Sequence, residues 1–208
     1  MIIIGVTDLH GRFPSILYEL KNKADVLVVS GDITHFGKGI EIIEDLAELS
    51  DYLDVLCVPG NCDTKEVIDE LNSYNLNIDK KVKKIDKYNF LGIGGSNRTP
   101  FNTYYEYDDN ELLNELKKFY NLDNIILVSH APPYGTMADI VNNTHVGSKA
   151  VREFIENNDV VLCACGHIHE SRCIDKIDNT IVVNPSPKSY FIYDTRKNIV
   201  ILEDYAGL

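Results

Sequence analysis

Short apolar runs alternate with amphipathic stretches along the first two thirds of the chain. β-Branched residues fill Ile2–Thr7, and a second apolar run ends at Asp32. Between these runs, Pro14–Lys23 has apolar residues at helical spacing and a proline suited to a first helical turn. Near-continuous apolar runs are typical of strands buried on both faces. The pattern therefore predicts an α/β protein whose helices cover its sheets.

The alternation continues to about residue 165 and then changes. Further helices are predicted at Gly39–Leu49, Lys65–Leu71, Asp108–Phe119 and Gly147–Asn157, and strands at Asp54–Val58, Asn89–Gly95, Asn124–His130 and Asp159–Cys165, with a long loop from Ala131 to Val146. Short strands linked by turns follow at Cys173–Ile177, Thr180–Val183, Tyr190–Asp194 and Ile199–Leu202. These hairpins predict a mixed second sheet. Because no linker-like stretch interrupts the chain, we expect one domain over residues 1–208.

The charge of the chain limits its partners. Lys and Arg number 20 against 32 Asp and Glu, which gives a net charge of −12 at pH 7. Long nucleic acid and anionic membranes need a basic face, so both are poor partners, whereas a small anion can bind where cations reverse the local charge. No apolar run reaches the ~18 residues of a membrane span, and the first residues do not resemble a signal peptide. Five cysteines in no disulfide pattern favour a reducing compartment, so we predict a cytoplasmic location.

Polar residues follow five of the predicted strands directly. They are Asp8 and His10 after the first strand, Asp32 after the second, Asn61 and Asp63 after the third, His130, and the pair His167 and His169. In open α/β sheets, ligands bind outside the carboxyl ends of the strands, which is where all of these residues fall. A mixture of carboxylate, amide and imidazole donors suits Mn, Fe, Zn or Ni better than Mg or Ca.

Five sequence blocks resemble those of the calcineurin-type metallophosphoesterases. The blocks are TDLHG, SGDIT, PGNCD, SHAPP and CGHIH, in that order, and the resemblance covers residues 4–170. IGGSNRTPFNT and the segment that begins HAPPYGTMAD are similar to a small prokaryotic branch related to Icc-type phosphodiesterases. The resemblance implies a four-layer α/β/β/α sandwich with two mixed β-sheets. It also implies two divalent metal ions about 3.5–4 Å apart.

The resemblance also implies a ligand set and an activity. One metal would be held by Asp8, His10, Asp32 and His169, and the other by Asp32, Asn61, His130 and His167, with Asp32 bridging. Mn is the favoured ion, with Fe, Ni, Zn or Mg as alternatives. A hydroxide held between the metals would attack a small phosphate ester, which predicts a phosphodiesterase. The alternatives are a phosphomonoesterase or nucleotide pyrophosphatase with the same metal site, and a non-catalytic interaction scaffold. A homodimer is possible.

One block departs from the family pattern. Most members carry histidine where this chain has Cys62, and that histidine is commonly assigned to the leaving oxygen. A thiol is a weak donor without positive charge, so the predicted catalytic set of Asn61, Cys62, Asp63 and His130 should act poorly on esters with poor leaving groups. A nucleophilic Cys62 is the alternative interpretation. Candidate substrate contacts are Asn97, Arg98 and His145, for which ordinary surface positions are the alternative.

Overall fold

The computed structural model describes residues 1–205, so the last three residues of the predicted domain lie outside the described part. The strands are β1 Ile2–Val6, β2 Val26–Ser30, β3 Asp54–Val58, β4 Val82–Ile85, β5 Tyr88–Ile93, β6 Ser96–Asn97, β7 Glu106–Tyr107, β8 Ile125–Ser129, β9 Ile140–Val141, β10 Thr144–His145, β11 Val160–Ala164, β12 Cys173–Ile177, β13 Thr180–Asn184, β14 Ser189–Asp194 and β15 Ile199–Asp204. The α-helices are α1 Ile16–Leu20, α2 Ile42–Leu49, α3 Lys65–Ser73, α4 Asp109–Leu116 and α5 Lys149–Glu156, and 3-10 turns cover Lys117–Phe119 and Met137–Asp139.

Two mixed sheets form the centre of the protein. One has the strand order β15-β14-β1-β2-β3 and the other the order β12-β13-β11-β8-β5-β4. In the first, β1, β2 and β3 are parallel, and in the second, β5, β8, β11 and β13 are parallel. The sequence pattern placed all four C-terminal strands in the second sheet, and this is wrong for two of them. The β12–β13 hairpin joins the second sheet, whereas β14 and β15 extend the first by pairing with β1.

Three apolar layers separate the sheets and helices. In β2, Val26 and Val28 point into the layer between the two sheets, while Leu27 and Val29 point to the opposite face, where α2 and α3 pack. A third layer lies between the second sheet and helices α4 and α5. Burial on both faces explains the continuous apolar runs, since each fully buried Val or Leu contributes about 1.5–3 kcal/mol of transfer free energy. The predicted four-layer sandwich is confirmed.

The differences from the predicted elements are local. The first helix is shorter than the predicted Pro14–Lys23, because only Ile16–Leu20 is α-helical. Strand β4 was not predicted at all: three of its four residues are exposed, so its sequence has no apolar face. The loop from Ala131 to Val146 contains the small hairpin of β9 and β10. Within residues 1–205, no helix is long and apolar enough to cross a membrane.

Candidate metal centre

The seven predicted metal donors lie on loops that leave the carboxyl ends of five parallel strands. Asp8 and His10 follow β1, Asp32 follows β2, Asn61 follows β3, His130 follows β8, and His167 and His169 follow β11. The potential ligand atoms of Asp8, His10 and His169 lie within 4.8 Å of one another, as do those of Asp8, Asp32 and His130. The strand-end pattern in the sequence thus corresponds to one cluster in space. The structure has Asp8 in both groups, and the predicted bridging role of Asp32 stays a prediction.

The surroundings of His130 fit a cation. This imidazole is fully buried, and its Nδ1 lies 2.8 Å from the carbonyl oxygen of Ser30. Because a carbonyl only accepts hydrogen bonds, Nδ1 carries the proton and Nε2 of the neutral ring has a lone pair. That lone pair faces Asn61 Oδ1 at 2.9 Å and Asp32 Oδ1 at 3.4 Å, both of which are acceptors. Only a proton or a metal ion between these atoms removes the repulsion.

A second group of donors surrounds Asp8. Its Oδ2 accepts hydrogen bonds from the Thr7 hydroxyl at 2.8 Å and from the His167 backbone at 3.0 Å, which leaves Oδ1 facing His169 Nε2 at 3.3 Å. Burial raises the pKa of Asp8, but the hydrogen bond from His169 and nearby positive charge outweigh it and lower that pKa to about 2. His10 Nε2 lies 3.3 Å from His169 Nε2. Two imidazoles and a carboxylate at such distances are suitable ligands for a transition-metal ion.

Two histidines of the cluster, His10 and His167, favour the neutral form that can bind a metal. Burial lowers the pKa of His10, and burial is also the largest cause that lowers the pKa of His167 to about 4. His169 differs, because its hydrogen bond with Asp8 raises its pKa. The rings of His130 and His167 are 5.1 Å apart between centroids, so His167 lies beside His130, but its ring nitrogens belong to neither of the two donor groups.

The backbone of the cluster is held in an uncommon conformation. The φ angles of Asp8, His10, Asp32 and His167 are 52°, 47°, 47° and 69°, in the left-handed region that non-glycine residues seldom adopt. Such strain costs of order 1 kcal/mol or more for each residue and concentrates at functional sites. Glycine next to the donors is also required for space: a Cβ on Gly60 would overlap the Asp32 carboxylate, and one on Gly166 would overlap Thr7 and Asp8.

Cys62 and Asp63 have different surroundings from the donors. The Cys62 backbone N–H donates to Asp32 Oδ1 at 2.8 Å, and its thiol is half-buried beside the same carboxylate. Burial and the negative charge of Asp32 raise the thiol pKa well above its ordinary value, which favours the thiol over the thiolate. Asp63 accepts hydrogen bonds from the backbones of Ile33, Thr34 and Gly60 and from the Thr34 hydroxyl. These contacts tie the loops after β2 and β3 together; the predicted catalytic roles of Cys62 and Asp63 stay predictions.

A hydrogen-bond chain that the sequence did not reveal orients Asn61. The Asn61 Nδ2 donates to the Thr103 hydroxyl at 3.0 Å, and that hydroxyl donates to Glu106 Oε1 at 2.6 Å. Glu106 also accepts from the backbone and hydroxyl of Thr99. With its amide nitrogen occupied, Asn61 presents Oδ1 to His130. Thr103 lies 42 residues from Asn61 in the chain, and no motif distinguishes it or Glu106 from ordinary loop residues.

The three candidate substrate contacts lie outside the donor cluster. Asn97 donates from Nδ2 to the Val146 carbonyl at 3.0 Å, and Arg98 is exposed. His145 Nδ1 lies 2.7 Å from the buried carboxylate of Asp139. None of them lines the cleft that opens beside the donors, and their role in substrate binding stays a prediction.

A cleft of about 590 Å³ opens beside the donor cluster. Asp8, His10, Cys62 and His169 form its inner end. Its volume lies within the ~300–1,000 Å³ range of small-molecule sites. Of the seven donors, Asp8, His10 and His169 are therefore accessible to a small molecule through this cleft.

Comparison with known proteins agrees with this geometry. The chain is 69% identical to an uncharacterised protein of Methanocaldococcus jannaschii, over 100% of this chain and 98% of that protein. Its fold is similar to that of the protein TT1561 of Thermus thermophilus, with a TM-score of 0.73, 17% identity and 98% of each chain covered. A dimetal phosphatase from Danio rerio shares the fold with a TM-score of 0.57, 12% identity and 99% of each chain covered. The family model for calcineurin-like phosphoesterases matches residues 1–171, a range that includes every donor of the cluster, and the chain therefore belongs to that family.

Proposed function

We propose that the protein is a phosphodiesterase that hydrolyses small phosphate esters with the help of two divalent metal ions. The family and the donor cluster support the coarser activity of a metal-dependent phosphoesterase. The observation that carries the proposal is the environment of His130 Nε2, whose lone pair faces two oxygen acceptors in an arrangement that a shared metal ion would satisfy. We assign Asp8, His10, Asp32 and His169 to one metal and Asp32, Asn61, His130 and His167 to the other, with Mn as the favoured ion.

Each side chain then has a defined task. Divalent cations bound here would polarise the phosphoryl oxygens and lower the pKa of water, which supplies both the Lewis acid and the nucleophile. The Ser30 carbonyl fixes the His130 ring with Nε2 toward the cluster. Thr103 and Glu106 fix the Asn61 amide with its oxygen toward the same point. The buried Asp8 and Asp32 carboxylates would offset part of the metal charge.

We favour a diester over a monoester because two segments of the sequence resemble the small prokaryotic branch related to Icc-type phosphodiesterases. The cleft beside the donors offers room for one organic group next to the phosphate, which either class of ester could fill. Cys62 provides no positive charge for the leaving oxygen, so the leaving group must depart largely unaided. The enzyme should therefore act best on esters whose leaving groups are stable anions, such as aryl esters.

The test compares bis(4-nitrophenyl) phosphate with 4-nitrophenyl phosphate, each with Mn²⁺, Ni²⁺, Zn²⁺ and Mg²⁺. We expect hydrolysis of the diester at a higher kcat/KM than the monoester, and reversible loss of activity with a chelator. Asp32→Ala should abolish the activity, whereas Asp51→Ala, at an exposed carboxylate away from the cluster, should leave it unchanged. Faster hydrolysis of the monoester would overturn the diesterase assignment. Metal-loaded protein that hydrolyses neither ester would support a non-catalytic scaffold.

A further inference from the structure

The cleft beside the metal donors is lined by more cationic than acidic side chains, unlike the protein as a whole. The chain has 32 acidic and 20 basic residues, yet within residues 1–205 Asp8 is the only acidic residue that lines the cleft, which is also lined by Arg12 and Lys188. Both cations are exposed. In the described part of the chain, neither of them forms an ion pair. Two unpaired cations in one concave site attract an anionic group.

Aromatic side chains form the wall of the same cleft. Phe13, Phe36 and Tyr205 line it together with His35. The rings form a row that starts at the metal donors: His10 and His35 are 5.8 Å apart between centroids, and His35 and Phe36 are 5.1 Å apart. Phe36 is 43% exposed, so part of its ring is open to solvent, although Tyr104 lies beside it at 6.1 Å between centroids. An aromatic face in a cleft binds flat apolar groups by stacking.

Two of these residues lie in turns at the rim of the cleft. Phe36, with a φ of 53°, is a central residue of the two-residue turn that hydrogen bonds between His35 and Lys38 close. Lys188, with a φ of 64°, lies in the turn after Pro187. Positive φ angles are typical of such turn positions. Both side chains line the cleft, and neither contributes to an apolar core cluster.

We propose that this cleft selects the substrate, and that the preferred phosphate ester carries a flat aromatic group with a second negative charge on its far side. The inference rests on the proposed function, because it takes the reacting phosphate to lie at the donor cluster. The aromatic group stacks against Phe36 and its neighbours. The second anion, a carboxylate or a phosphate, lies between Arg12 and Lys188, where charge-assisted hydrogen bonds hold it.

Three phosphonates that share one metal-binding group test the proposal by calorimetry on the metal-loaded protein. They are methylphosphonate, phenylphosphonate and 4-carboxyphenylphosphonate. We expect phenylphosphonate to bind about tenfold more tightly than methylphosphonate, because one ring face leaves water. We expect the carboxylate to add about a further threefold to tenfold at low salt, and most of this gain to disappear at 1 M salt, where the Debye length is about 3 Å.

Variants assign each gain to its residues. Phe36→Ala should remove the tighter binding of phenylphosphonate relative to methylphosphonate and leave the affinity for methylphosphonate unchanged. The control is Phe101→Ala, at a ring that is 80% exposed and outside the cleft, which should leave both affinities unchanged. The Arg12→Ala Lys188→Ala double variant should remove the gain of the carboxylate, with Lys84→Ala, an exposed lysine outside the cleft, as the control. Circular dichroism and the unchanged affinity for methylphosphonate show that the variants are folded.

The outcomes separate this inference from the proposed function. Equal affinities for the three phosphonates, in a protein that still hydrolyses bis(4-nitrophenyl) phosphate, would overturn the selectivity of the cleft and leave the proposed function standing. The selectivity of the cleft would also be overturned if the ring still increased the affinity in Phe36→Ala, or if the carboxylate still increased it in the Arg12→Ala Lys188→Ala double variant. The expected gains in a protein without hydrolytic activity would support the cleft as a binding site and count against the phosphodiesterase.

Discussion

Thr103→Val should weaken metal binding without any change at a metal donor. Valine has nearly the shape of threonine but cannot accept the hydrogen bond from Asn61 Nδ2 or donate to Glu106. The Asn61 amide is then free to rotate and to turn its nitrogen toward His130. Loss of such an outer-shell hydrogen bond typically costs about 10–100-fold in metal affinity. We expect a loss of this size in Mn²⁺ affinity measured by calorimetry, with a matching fall in kcat/KM at sub-saturating metal.

Thr99→Val is the matched control for this prediction. Thr99 also donates its hydroxyl to Glu106, at 2.7 Å, but it does not contact Asn61. Each variant loses one hydroxyl–carboxylate hydrogen bond in a half-buried site, worth about 1.5 kcal/mol at the lower end of the range for charged partners. A loss of this size lowers Tm by about 3–6 °C in a domain of about 200 residues. Equal Mn²⁺ affinity in the two variants, despite similar Tm values, would refute the argument that Thr103 orients Asn61.

Three further predictions concern the metal donors, Cys62 and the free energy of unfolding at acidic pH. Asp32→Ala should lower kcat/KM by more than about 100-fold, which exceeds the typical loss for a residue that contacts a metal ligand but not the metal. The loss should also be larger than that in His10→Ala, because Asp32 is assigned to both metals. Equal losses of the two variants in steady-state kinetics would rule out a bridging role for Asp32. Cys62→His should accelerate hydrolysis of alkyl esters by up to about 10²–10⁴-fold, the range of general acid catalysis, and hydrolysis of nitrophenyl esters far less. Cys62→Ser should leave the activity nearly unchanged. Loss of all activity in Cys62→Ser at unchanged metal content would show that the thiol takes part in the chemistry. Burial raises the pKa of Glu106, but hydrogen bonds from Thr103 and Thr99 outweigh it and lower that pKa to about 2. The contribution of Glu106 to the free energy of unfolding is therefore present above the ordinary glutamate pKa of 4.5 and is lost as the pH falls toward 2. In urea unfolding, the free energy of unfolding of Glu106→Gln should fall less steeply over this pH range than that of the unmodified protein, and an equal slope would contradict the prediction.

The candidate metal donors stood out in the sequence because the fold places them at regular positions. Parallel strands that are buried on both faces produce apolar runs, and the loop after each run lies at the carboxyl end of the sheet. Asp8, Asp32, Asn61 and His130 lie one to three residues after their strands. Their assignment to two metals rested on the family resemblance, because the strand-end pattern alone also selects Asp63.

Other features depend on contacts that no local pattern encodes. The hairpins β12–β13 and β14–β15 have similar alternation, and only the pairing of β14 with β1 decides which sheet each joins. The cleft is built from segments around residues 8–15, 35–36, 62, 169 and 187–205, so its aromatic and cationic walls meet only in the folded chain. The Asn61–Thr103–Glu106 chain was missed for the same reason, since it joins a strand end to a distant loop.

Anomalous diffraction from crystals grown with Mn²⁺ would locate the proposed metal ions. We expect two Mn²⁺ peaks at the carboxyl ends of the strands, one bound by Asp8, His10 and His169, and the other by Asn61, His130 and His167, with Asp32 bound to both. We also expect Asn61 to bind through its oxygen and His130 through Nε2. Anomalous peaks away from these side chains, in a protein that hydrolyses phosphodiesters with Mn²⁺, would refute the proposed two-metal centre.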